Sequence, residues 1–183
     1  MDTNLLNNYV LKAIDAYPYA IEETVENLNY ALSYESNNAY ALYLMGRLQA
    51  EQLGDYEKAK YYFAEALASK LDFIKVYPRY ILVLLWNRDY DEAQKLIDFA
   101  KTAKGVGKGE LLVLQAQLFE CQELYKKAIK AFKKAKLFIY NNSYNSFVNS
   151  EIKRVENKLK PKKKKASKKK TSKKAKSKKK KNN

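Results

Sequence analysis

The chain has 183 residues, with 36 lysines and arginines against 20 acids and a formal net charge of +16. That length allows one domain plus a tail, and histidine, the commonest general base, is absent. The single cysteine, Cys121, excludes an internal disulfide and a cysteine cluster for zinc.

In chain order, the start Met1-Asp2-Thr3-Asn4 lacks the basic segment and apolar core of a signal peptide. The longest apolar stretch, Tyr80 to Trp86, is far short of the roughly 20 residues that cross a bilayer. A reducing, cytoplasmic setting without a transmembrane segment is therefore expected. Apolar residues fall on helical rather than alternating spacing. They predict helices at about 4–16, 19–34, 38–52, 55–69, 73–87, 90–103, 109–122 and 124–139. A last amphipathic helix is predicted at about 146–159, with Phe147, Ile152, Val155 and Leu159 on or near one face; it would cap the apolar end of a stack. Pro18, Ser36-Asn37-Asn38, Gly54, the Gly105-to-Gly109 stretch and Asn141-Asn142-Ser143 are expected between helices. Pro78 falls near the start of its helix, in the first turn or so, where a missing amide costs little.

A motif recurs along these helices. Asp55-Tyr56-Glu57-Lys58-Ala59 returns as Asp89-Tyr90-Asp91-Glu92-Ala93 and as Leu124-Tyr125-Lys126-Lys127-Ala128, with tyrosines 34 and then 35 residues apart. A period in the thirties marks a stacked helical repeat. Each copy continues as a stripe: Ala59, Phe63, Ala66; Ala93, Ile97, Ala100; Ala128, Phe132, Ala135. Small residues alternating with one large group let a neighbouring helix approach closely. Upstream lies a second apolar helix in each unit, with Leu42, Met45 and Gly46; Tyr77, Tyr80 and Ile81; Leu112, Gln115 and Ala116. A fainter first unit is readable at Ile21, Thr24, Leu28 and Ala31.

Together these residues resemble the tetratricopeptide repeat, an antiparallel helix pair, over about residues 5–140. The second unit fits best, at Gly46, Gly54, Tyr56, Ala59, Phe63 and Ala66. Ile81 and Arg88 stand where the family usually has glycine, and Leu71 where it usually has proline. The resemblance implies an all-α, right-handed α-solenoid of about four helix hairpins plus a capping helix. The corresponding organisation is a helical repeat domain over 1–160 and a disordered polylysine tail over 161–183.

The resemblance also implies a concave groove facing a partner, lined by Tyr9, Tyr40, Tyr43, Arg47, Lys75, Arg79, Leu82, Glu110 and Gln117. Tyrosines give contact area at low entropic cost, and arginine pairs with carboxylates. Such a groove suits a protein or peptide segment carrying acids, although the same tyrosines could simply cover neighbouring helices. Lys75 and Arg79 match two of five residues with which some family members clamp a chaperone's terminal carboxylate. Tyr9, Ala13 and Leu44 replace the other three.

Charge is segregated. Residues 160–183 hold 15 lysines and no acid, hence +15; residues 1–159 carry only +1. Within that body, residues 1–57 hold 2 basic and 9 acidic groups, a balance of −7, and residues 101–159 hold 12 and 5, a balance of +7. The tail lysines, Lys162, Lys163, Lys164, Lys165, Lys168, Lys169, Lys170, Lys173, Lys174, Lys176, Lys178, Lys179, Lys180 and Lys181, are candidates for a polyanion such as nucleic acid or the ribosome. Docking of the tail on the acidic N-terminal repeat, and self-association of the stack, stay open. Gly105-Val106-Gly107-Lys108-Gly109 lacks the frame of a phosphate loop and reads as a turn. No cofactor, metal or catalytic residue is expected. The reading is a non-enzymatic adaptor, the alternative a nucleic-acid- or ribosome-associated protein acting through its tail.

Overall fold

The computed structural model describes residues 7–159. The lysine tail and the polyanion candidates from Lys162 to Lys181 lie outside the described residues. Among those described, the α-helices are α1 (Asn8–Ala16), α2 (Ile21–Tyr34), α3 (Ala39–Glu51), α4 (Tyr56–Ser69), α5 (Val76–Trp86), α6 (Tyr90–Ala100), α7 (Lys108–Cys121), α8 (Tyr125–Ala135) and α9 (Asn142–Leu159), with a 3-10 turn at Lys136–Phe138. Helices pair in sequence, α1 with α2 through α7 with α8, and α9 closes on α8. The architecture is a right-handed α-solenoid of four tetratricopeptide-like hairpins and a cap.

The repeated stripe is what nests the hairpins. Ala59, Phe63, Ala66, Ala93, Ile97, Ala100, Ala128, Phe132 and Ala135 are all fully buried, and Thr24, Leu28 and Ala31 occupy the same place in α2. Gly46 shows how tight the nesting is. A Cβ there would lie 2.8 Å from Cδ1 and Cε1 of the Phe63 ring. At the end of α3, Gly54 turns the chain with φ +66°. One repeat on, Arg88 takes φ 66°, and Glu123 takes φ 60°. The turn therefore keeps its left-handed geometry where the glycine has been lost, at a steric cost for a residue with a Cβ.

Two cores result. The larger runs through the first three hairpins and takes Leu111, Leu114 and Leu118 from α7. The smaller gathers Val113 and Ala116 of α7, Ala128 and Phe132 of α8, and Val148, Ile152 and Val155 of α9. α7 is thus apolar on both sides, as befits a helix sandwiched between neighbours.

Several predicted boundaries shift for local reasons. α1 starts at Asn8 because the Asn7 side chain accepts from the Val10 amide at 2.9 Å. α5 starts at Val76, after a turn in which the Val76 amide donates to the Phe73 carbonyl at 3.1 Å. α6 and α8 end earlier than predicted, at Ala100 and Ala135. α9 begins at Asn142 rather than near 146, since Asn141 caps it through the Tyr144 amide at 2.9 Å. Its buried face is Val148, Ile152 and Val155; Phe147 and Leu159 are 42% and 37% exposed, so the face is Val148-centred. Gly109 is inside α7, not in the preceding turn. There a Cβ would lie 3.1 Å from the Phe138 carbonyl oxygen and 3.0 Å from the Ile139 side chain, so these neighbours would have to yield by a few tenths of an ångström.

Candidate functional site

The first helix of each hairpin brings a line of polar groups onto neighbouring positions of the stack. It begins at the end of α1, where the Tyr17 hydroxyl donates to Glu51 Oε2 at 2.5 Å. Arg47, one turn before Glu51 on α3, grips that carboxylate through Nε and Nη2 at 3.0 and 2.9 Å and lays its guanidinium over the Tyr17 ring, 4.7 Å from the centroid. From α5, Arg79 reaches the same carboxylate at 3.5 Å. Burial opposes charging Glu51, but the Arg47 guanidinium and the Tyr17 hydroxyl outweigh it and hold the carboxyl below the usual range. Burial and the bond to Glu51 push the Tyr17 hydroxyl up to about 12. Arg47 is thus committed to the scaffold, whereas Arg79 is half-exposed and only loosely held.

Beyond Arg79 the surface opens into a cleft of about 280 Å³. It is lined by Tyr43, Ile74, Lys75, Pro78, Arg79, Gly105, Val106, Gly107 and Glu110. The cleft joins α3, the start of α5 and the turn before α7. Lys75 is exposed and stands 5.1 Å over the Tyr40 ring. Glu110 is exposed as a residue, but the loss of water around its carboxyl pushes its pKa up, which Arg79 opposes. On α9, burial and then the nearby Glu110 push Tyr144 up to about 12. The cleft therefore offers two cations of different shape, an apolar lip from Ile74, Pro78 and Val106, and one carboxyl whose charge is sensitive to its surroundings. Arginine fits a carboxylate with two parallel bonds, and lysine supplies a compact charge.

The nine groove candidates separate on this geometry. Tyr43, Lys75, Arg79 and Glu110 line the cleft. Tyr40 adjoins it, with its hydroxyl 3.4 Å from Lys75 Nζ and its ring against Phe73. Arg47 belongs to the Tyr17–Glu51 cluster. Tyr9 stacks on Tyr30 and Tyr34 of its own hairpin, at 5.3 and 5.7 Å between centroids. Leu82 is half-buried against the main core. Gln117 is half-buried on α7, its Oε1 out of reach of any donor. Two of the three residues that replace the chaperone clamp, Ala13 and Leu44, are buried in the core and face no ligand.

Three functional-grade features escaped the sequence reading. Glu51 and Tyr17 come together across 34 residues. Glu120, almost buried on α7, is held by Arg154, with Nη2 at 2.6 Å, and by Lys158 at 2.6 Å, both from α9. Finally, Asp89 is bridged to Lys60 at 2.6 Å and to Asn87 at 2.7 Å, tying α4 to the turn before α6. Cys121 is exposed, and partial burial pushes its thiol up, away from a reactive thiolate. No helix among the described residues is long and apolar enough to cross a membrane.

No family model matches the chain, and no curated protein matches it. Solved structures do. A MamA RS-1 ArsTM double mutant superposes with a TM-score of 0.60 at 19% identity, covering 84% of this chain and 97% of that one. MamA 41-end from Desulfovibrio magneticus RS-1 gives a TM-score of 0.59 at 19% identity, covering 85% and 99%. At that identity the likeness concerns the fold, and it spans the helical stack.

Proposed function

We propose that the protein is a non-enzymatic adaptor whose stack holds a segment of a partner protein, with acidic groups, against the inner helices. The segment 161–183 then tethers the assembly to a polyanion. The observation that carries this reading is the convergence of Tyr43, Lys75, Arg79 and Glu110 on one cleft. These residues are separated by up to 67 positions in sequence, yet they form a single surface with both cationic and apolar character. Among the described residues Arg79 has one long ion pair, at 3.5 Å, beside its weaker attraction to Glu110, and Lys75 has no acidic partner, which leaves much of their charge to a ligand. A cytoplasmic setting belongs to the same proposal.

The second reading makes the tail the main binding element. It is favoured by the placement of 15 of the net 16 positive charges in residues 160–183. Lysines displace counterions from a phosphate backbone without reading its sequence, so such binding falls steeply with salt. Deleting residues 161–183 separates the two. If the truncated chain still captures its partners, the adaptor reading stands. If all association is lost, and the intact chain is retained on DNA or RNA in a salt-dependent way, the tail is the functional element.

A further inference from the structure

A second, larger cleft adjoins the groove cleft and shares Val106 with it. It holds about 580 Å³ and is lined by Lys101 at the end of α6, Val106 in the following turn, Lys108, Leu111 and Leu112 of α7, and Lys134 near the end of α8. Its floor is apolar and its rim carries three lysines. Lys108 stands 4.4 Å over the Phe138 ring and, like Lys134, has no acidic partner among the described residues. Lys101 shares its charge with Asp98 at 2.6 Å. The acids nearby are turned elsewhere: Glu120 is held by α9, and Glu110 lines the cleft of the groove. A lysine rim on which Lys108 and Lys134 are unpaired among the described residues, around an apolar floor, fits a ligand that is apolar at its tip and acidic beside it.

The first hairpin of this same chain has that chemistry. Between α1 and α2, Tyr19 is 94% exposed, a large aromatic group left uncovered among the described residues. Glu22 and Glu23 follow in the first turn of α2, exposed and without a cationic partner among the described residues. Three helices, α3, α4 and α5, intervene between α2 and the nearest wall of the cleft. A rigid stack therefore keeps the knob from its own cleft. We infer that Tyr19, with Glu22 and Glu23, docks into the lysine-rimmed cleft of a second copy, joining copies head to tail. The charge balance of −7 in residues 1–57 against +7 in residues 101–159 gives the same polarity. An interface between unlike patches of identical chains repeats, giving rings or open chains rather than a closed twofold dimer.

The test uses the intact chain, two charge-reversed variants and sedimentation velocity over a concentration series. Wild type is expected to associate at low salt and to dissociate as salt screens the contact. Lys108→Glu with Lys134→Glu, and separately Glu22→Lys with Glu23→Lys, should each weaken association by about tenfold or more. An equimolar mixture of the two variants should recover it, because each then meets a complementary partner. Tyr19→Ser should weaken association without changing its salt dependence. Unchanged helical circular dichroism confirms that the exposed substitutions leave the fold intact. The inference is overturned if wild type stays monomeric at low salt or if the mixture fails to associate. It is also overturned if the lysine-reversed variant associates like wild type, which would assign the cations to the tail.

Discussion

Replacing Gly46 by alanine sets two effects of opposite sign against each other. Gly46 lies inside α3, and alanine in a helix interior is worth about 1 kcal/mol over glycine. A surface position would gain that amount. Here the new methyl would sit 2.8 Å from two atoms of the Phe63 ring and 3.0 Å from a third. Ordinary carbon contacts need about 3.5–4.0 Å, so the ring must retreat by most of an ångström. It has little room, because Phe63 is fully buried between the rings of Tyr43 and Tyr80, at 6.1 and 5.8 Å. Overpacking of this kind costs about 1–3 kcal/mol, so the clash wins and the net loss is about 1 kcal/mol. Urea unfolding followed by circular dichroism measures it, and the melting temperature should fall by about 2–4 °C. In a Phe63→Leu background the ring is gone and the same substitution should become neutral or stabilising. Gly46→Ala stabilising the wild-type chain would refute the close approach of α3 and α4 at this point.

Arg88→Gly and Glu123→Gly should each raise stability by about 0.5–1 kcal/mol, since both hold φ near the value of Gly54; Gly54→Ala should lower it, and the three melting temperatures check the sign. For Glu120, burial opposes ionisation, but Arg154 and Lys158 outweigh it and keep the carboxyl below its ordinary range. Its contribution is therefore present above the unfolded carboxylate pKa of about 4.3 and is lost as pH falls through the folded value. Glu120→Gln should cost about 1–3 kcal/mol at neutral pH, because it leaves Arg154 and Lys158 facing a neutral group. The variant should also lose less of its stability than wild type on acidification, as read by denaturant unfolding at several pH values. Tyrosinate absorbance should show Tyr17 and Tyr144 ionising late, near pH 12, with burial also delaying Tyr77 and Tyr80. The Tyr17 contribution is present below the ordinary tyrosine pKa of about 10 and fades as pH rises through about 12. Tyr17→Phe should remove one late ionisation and, by deleting the bond to Glu51, cost about 1 kcal/mol.

The stripe of alanines was legible because helix nesting acts at fixed spacing within one segment. Ala59, Phe63 and Ala66 show the same four-three step in each copy, and every copy is buried. Of the four residues expected on or near one face of α9, Ile152 and Val155 are buried. Phe147 is 42% exposed and its neighbour Val148 is buried instead, because Ile152 and Val155 stand four and seven residues beyond Val148. Asn141 does fall between helices, where it caps α9, but Asn142 and Ser143, expected there too, lie inside the helix. Pairs that depend on the superhelical path were beyond reach. Nothing local brings Glu51 to Tyr17, or Glu120 to Arg154, because each pairing depends on how successive helices rotate against one another. For the same reason the groove positions could be nominated but not sorted. Tyr9 and Tyr40 open their helices alike, yet Tyr9 is taken up by Tyr30 and Tyr34 while Tyr40 reaches Lys75.

The adaptor account is tested most directly by placing a photo-crosslinking residue at Ile74, on the lip of the groove cleft, and separately at Tyr61, which is 61% exposed on α4 outside it. The account predicts that partner proteins crosslink through position 74, that position 61 gives none of them, and that Lys75→Glu with Arg79→Glu abolishes the signal. Equal crosslinking from both positions, or a signal at 74 indifferent to those two charges, would contradict it.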